Sequence, residues 1–136
     1  MAFVMLNPST ADERRDDPTI RRCIAFARRW GFGGVEIVNL FALRASDPRA
    51  LRRARDPVGA ANDRHIARAA ARATLVVLAW GVWGRLRGRS AEIRARLSRP
   101  APRCLGLTRS GEPRHPLYLR ADARLVPARS ARRFCA

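Results

Sequence analysis

An α/β fold with a parallel sheet is predicted by three apolar runs and by what stands between them. Residues 2–6, 35–40 and 74–79 are short, almost unbroken apolar stretches, as strands buried on both faces must be. A helical pattern separates each from the next, and parallel strands need such crossovers. With 136 residues the chain has enough length for one domain and one core, and too little for two. The expectation is a three-layer α/β/α domain over residues 1–136 with a central four-stranded, mostly parallel sheet.

The elements follow in order. The first strand stops at Asn7-Pro8, because proline has no amide for the ladder. Asp17-Pro18 reads as an N-cap with proline in the first turn, opening a helix to about Trp30. Ile20, Cys23, Ile24 and Ala27 share one face of that helix, and Gly31 is its stop. After the second strand, Asp47-Pro48 starts a short helix to about Arg53, and residues 56–59 form a turn. Asn62 or a neighbour caps a helix reaching Arg72. The third strand runs into Trp80-Gly81, followed by a helix over 84–97 with a strongly basic face, ended by Pro100 and Pro102. A fourth strand is expected over 103–107, a loop over 111–119 around His115-Pro116, and an ill-defined tail over 121–136.

The formal charge of +17 is the strongest compositional signal, and all 28 basic residues are arginine. Such a chain attracts polyanions, since neutralised phosphates release counterions, and arginine forks suit phosphate. DNA or RNA is therefore the expected partner. Arginine in place of every lysine also matches the codon use of a GC-rich genome, so a merely basic, solvated surface stays open. No apolar run approaches the length of a membrane span, and the opening stretch is too short for a signal peptide. Cys23, Cys104 and Cys135 are odd in number and widely spaced, which predicts reduced thiols and a cytoplasmic protein. With no C-x-x-C pair and two histidines, no metal and no cofactor are expected. Nothing in the pattern sets an oligomeric state.

Right-handed crossovers bring the carboxyl ends of parallel strands to one edge, where open α/β sheets bind ligands. Asn7, Asn39, Trp80-Gly81 and the His115 loop should gather there. Asn7-Pro8-Ser9-Thr10 is either a plain turn or a strand-end site. Asn39 inside an apolar strand either satisfies itself on backbone or holds an acceptor–donor pair toward a ligand, as reading a nucleobase edge requires. His115 is a surface loop residue or a site residue, and His65 reads as structural. Gly81 allows a close approach of backbone or ligand. Asp16 and Asp17 are adjacent carboxylates, but Asp17 is explained as a cap. The absence of P-loop, G-x-G-x-x-G and G-x-S-x-G patterns argues against nucleoside triphosphatase, dinucleotide and serine hydrolase chemistry.

Taken together, residues 5–12 (MLNPSTAD), 17–22 (DPTIRR), 38–41 (VNLF), 79–81 (AWG) and 114–119 (RHPLYL) resemble a bacterial and phage family known only as domain of unknown function 1643. Members of that family usually carry a further segment before the first strand, so the resemblance implies that this chain lacks one. The order of motifs is more distantly similar to the uracil-DNA glycosylase superfamily. That resemblance implies hydrolysis of an N-glycosidic bond on a flipped-out nucleotide. In it Asn7, before Pro8, would hold the attacking water, and Asn39 would read the base. His115, before Pro116, would stabilise charge on the departing base. Residues 78–81 resemble a Leu-Trp-Gly strand end, so Trp80 and Gly81 would border the base, with Phe41 stacking on it or lying in the core. Ser9, Thr10 and Arg114 would contact the nucleic-acid backbone. An amide at position 7 is a poor general base, which implies weaker activity than an aspartate would confer. Leu6, Ser9-Thr10 and Leu117-Tyr118 depart from the superfamily pattern. Two further readings stand beside it: a non-catalytic nucleic-acid or modified-base binding module, and an enzyme acting on a free nucleobase, nucleoside or nucleotide.

Overall fold

The computed structural model describes residues 1–10 and 17–128. Four strands run parallel: β1 (Ala2–Met5), β2 (Glu36–Asn39), β3 (Val76–Leu78) and β4 (Arg103–Cys104). A fifth, β5 (Val126–Pro127), pairs antiparallel with β4, giving the order β2-β1-β3-β4-β5. The sheet is thus five-stranded where four strands were expected. The extra strand comes from the tail, whose two residues carry no pattern of their own and are recruited by the free edge of β4.

The helices are α1 (Pro18–Arg29), α2 (Arg49–Arg53), α3 (Asn62–Arg72) and α4 (Arg89–Arg96). Two apolar clusters show how they cover the sheet. Phe3, Met5 and Val77 pack with Cys23 and Phe26 of α1, while Val4, Val76 and Leu78 pack with Ile66 of α3 and Ile93 of α4. Alternate residues of one strand therefore feed opposite cores, which is why the runs lack a polar phase.

Local chemistry explains most element ends. The Asp17 carboxylate accepts from the amides of Thr19 and Ile20, with Pro18 at the first helical position. The buried face of α1 is Cys23, Phe26 and Ala27, whereas Ile20 is 44% exposed. The expected apolar face is rotated, because the Phe26 ring stacks on Trp30 and reaches Phe3 through it. Asn62 does not cap α3: its amide donates to the carbonyls of Asn39 and Leu40 at 2.8 and 3.0 Å, pinning the helix to the end of β2. The helix expected from Gly84 starts only at Arg89. Residues 82–88 form a tight 3-10 segment broken at Leu86 and Arg87, the latter with φ 54°. The Arg87 guanidinium reaches the carbonyls of Arg52, Ala54 and Arg55, so it closes the end of α2 at the expense of a regular helix.

Among the described residues Arg89 is the most buried charge, at 2% exposure. It donates twice to the Leu40 carbonyl and pairs with Asp63 and Glu92, joining β2, α3 and α4. Among the described residues no helix is long and apolar enough to cross a membrane.

Candidate functional site

The strand order places β1 between β2 and β3, with β2 reached on one side and β3 on the other, so the topological switch lies at the carboxyl ends of β1 and β3. The motifs singled out in the sequence do converge on this edge, but they divide into groups that face outward and groups that hold the edge together.

Asn7 holds structure together. Its Nδ2 donates to the carbonyls of Pro8, Leu43 and Ala45 at 3.0, 3.3 and 2.9 Å, and the Ala45 amide returns a bond to Pro8. The loop after β1 is thereby stitched to the loop after β2. With every amide proton engaged, the group left for a water or ligand is the Oδ1 acceptor. Ser9 donates to the Asp17 carboxylate at 2.9 Å, and the Thr10 hydroxyl bonds that of Ser46 at 2.6 Å. Both hydroxyls thus have protein partners, although the residues themselves are exposed.

Asn39 ends β2 opposite Met5 in the register, on the sheet face covered by α1. Its backbone carbonyl is held by Asn62, while its half-buried side-chain amide has no hydrogen-bond partner among the described residues.

Phe41 and Trp80 belong to the core, 0% and 1% exposed, so neither ring offers a face to a base in this conformation. Trp80 Nε1 donates to the Glu112 carboxylate at 2.7 Å. Glu112 is itself 6% exposed and was not singled out from the sequence. The pattern of a lone carboxylate between glycine and proline gives no sign of an indole partner over thirty residues away.

Gly81, at φ 75°, fits the close approach read from the sequence. Its amide donates to Pro113 at 2.8 Å, and a Cβ there would lie 3.7 Å from the His115 Cβ. His115 Nδ1 accepts the Leu117 amide at 3.2 Å. An imidazole that accepts at Nδ1 carries its proton on Nε2 when neutral. Burial holds the His115 pKa below its ordinary value of 6.5, with Asp17 pulling the other way. The ring is therefore a neutral N–H donor at the sheet edge. Beside it Tyr118 is 82% exposed, its ring 5.5 Å from the imidazole, and Leu117 and Val82 are also exposed. Arg114 is exposed too, its amide bonded to Gly106 just past β4. His115 stands beside Gly81, past the end of β3, whereas Asn39 ends β2 on the other side of β1.

Of the cysteines, Cys23 and Cys104 are buried in the fold. Burial, reinforced by Asp17, pushes the Cys23 thiol up to about 12, and burial raises Cys104 as well. Both are free thiols, while Cys135 lies outside the described residues.

The sequence pattern described as "Protein of unknown function (DUF1643)" matches residues 1–117. The chain belongs to this family. The match takes in β1 to β4 and extends through His115 to Leu117, so Asn7, Asn39, Gly81 and His115 lie within the family domain and Tyr118 just beyond the matched residues. No curated protein and no solved structure matches the chain.

Proposed function

We propose that this family member is a uracil-DNA glycosylase-like protein that hydrolyses the N-glycosidic bond of a damaged or modified base in DNA. The observation that carries the reading is His115: a neutral imidazole whose proton is directed to Nε2 by the Leu117 amide, set beside Gly81 at the carboxyl edge of a parallel sheet. A departing base develops negative charge on its exocyclic carbonyl oxygens. A neutral donor already in place stabilises that charge without a proton having to be acquired first. Asn39 supports the same reading, because its uncommitted amide offers an acceptor and a donor to the edge of an extruded base. Exposed Tyr118 supplies a stacking surface where Phe41 and Trp80 do not. Arginine supplies the phosphate contacts.

Asn7 favours a second reading. Its amide protons are consumed by three carbonyls. An acceptor alone can orient a water but cannot remove its proton at neutral pH, so a module that binds a modified base without cleaving it fits that residue as well.

Oligonucleotides carrying uracil, hypoxanthine, xanthine or hydroxymethyluracil, single- and double-stranded, test both. Abasic sites that disappear with Asn39→Ala and His115→Ala establish the glycosylase and name its base. Salt-dependent binding without base release establishes the module. Neither binding nor release sinks both.

A further inference from the structure

The strand β2 lies at the sheet's edge, and its outer side is open among the described residues. The amides of Glu36 and Leu40 donate inward to Met1 and Met5 of the β1 side. Alternation then turns the N–H and C=O groups of Ile37 and Asn39 outward. Asn62 takes the Asn39 carbonyl. The two outward amides and the Ile37 carbonyl remain for another partner.

A hollow of about 390 Å³ opens along this edge, with α3 as its other wall. The helix runs antiparallel to the strand: Asn62 is bonded at the end of β2, and Arg72 meets Glu36 at its start. His65, Arg68 and Arg72 follow one another at helical spacing along the wall. Among the described residues lining the hollow, the one carboxylate against them is Glu36, already paired to Arg72 at 2.5 Å. The groove thus has the length and backbone polarity of a missing strand and a cationic side.

We propose that the β2 edge is an interaction surface that takes an extended acidic segment of a partner protein by strand addition. Main-chain hydrogen bonds to Ile37 and Asn39 set its path, and alternate side chains set its identity. Those facing α3 meet Arg68 and Arg72 and should be carboxylates. Those facing the other way meet the side of Ile37, which packs in the α1-side cluster, and should be apolar. A second copy of the chain is a poor occupant, since pairing β2 with β2 brings two +17 chains together along this cationic groove.

An acetylated octapeptide alternating glutamate and valine serves as probe, beside its lysine–valine counterpart. Amide hydrogen exchange is followed at Ile37 and Asn39 in the full chain. The expected result is protection of both amides by the glutamate peptide alone, with affinity about tenfold weaker in Arg68→Glu. Ile37→Pro removes an outward amide while leaving the bonds to β1, and should abolish the protection at Asn39. Peptide binding that survives Ile37→Pro is diffuse charge attraction and overturns the proposal. So does equal binding of the lysine peptide, or protection that grows with protein concentration when no peptide is present.

Discussion

Trp80 donates its indole proton to Glu112 at 2.7 Å, and through this one buried bond the end of β3 holds the loop that carries His115. Arg94 stands 3.8 Å from the same carboxylate and lies over the Trp80 ring, while the Gly81 amide adds a backbone bond to Pro113. Glu112→Ala should leave a buried N–H without an acceptor and cost about 2 kcal/mol in urea unfolding. Amide exchange at Gly81 should quicken at the same time. An unchanged midpoint would mean that the loop is held by its backbone bonds alone.

Gly84 packs against the same indole. A Cβ at this position would fall 2.0 Å from Trp80 Cδ1 and 2.4 Å from its Nε1, and a buried ring has nowhere to go. Gly84→Ala should therefore lower the thermal midpoint by an amount corresponding to about 1–3 kcal/mol of overpacking.

The Arg89 network should respond unequally to loss of its members. Asp63→Leu takes a carboxylate from a guanidinium that is 2% exposed and should cost about 3 kcal/mol. Arg89→Met should cost less, because Asp63 and Glu92 are partly solvated and each keeps a bond to Arg96. Burial raises the Asp63 pKa, but the hydrogen bonds and charges of Arg89 and Arg96 outweigh it and hold the carboxyl below its ordinary 3.8. A carboxyl that is more acidic when folded adds stability above pH 3.8, and that contribution disappears as the pH falls through the folded value. Unfolding measured between pH 5 and 2 should show a shallower acid slope in Asp63→Leu than in the parent.

For His115 the direction is opposite to that of an ion-paired histidine. Its folded pKa lies below 6.5, so protonation favours the unfolded chain. Its contribution to stability is complete above pH 6.5 and declines as the pH falls toward the folded value. Activity or base binding should likewise be level above that pH and decline only on the acid side. Asp17→Asn keeps an N-cap but removes the nearby charge, and should lower the His115 pKa further. NMR titration of the imidazole reads both effects, and a value at or above 6.5 would refute the neutral-donor assignment.

Thiol labelling gives a simple check of packing. Cys23 is wholly buried with its pKa pushed up to about 12, and Cys104 is wholly buried with its pKa raised. Iodoacetamide at pH 8, mapped by mass spectrometry, should leave both unmodified in the native chain and modify both in urea.

Much of the architecture is written in local pattern. Strands with apolar side chains at every position need cover on both faces, and this alone sets a parallel sheet with helices on each side. Asp17-Pro18 specifies the start of α1 because the cap acts within four residues. The meeting of the strand-end motifs at one edge follows from the handedness of the crossovers. What local pattern leaves open is which polar group answers which. Asn62 reads as a cap and instead holds β2; Asn7 reads as a site residue and spends its protons on three carbonyls. The recruitment of Val126 and Pro127 into the sheet, the partnership of Trp80 with Glu112, and the withdrawal of Phe41 into the core all depend on residues far apart in the chain. Hydrogen-bond satisfaction in a buried setting is a property of the assembled fold, since a polar group takes whatever partner the packed chain brings within reach.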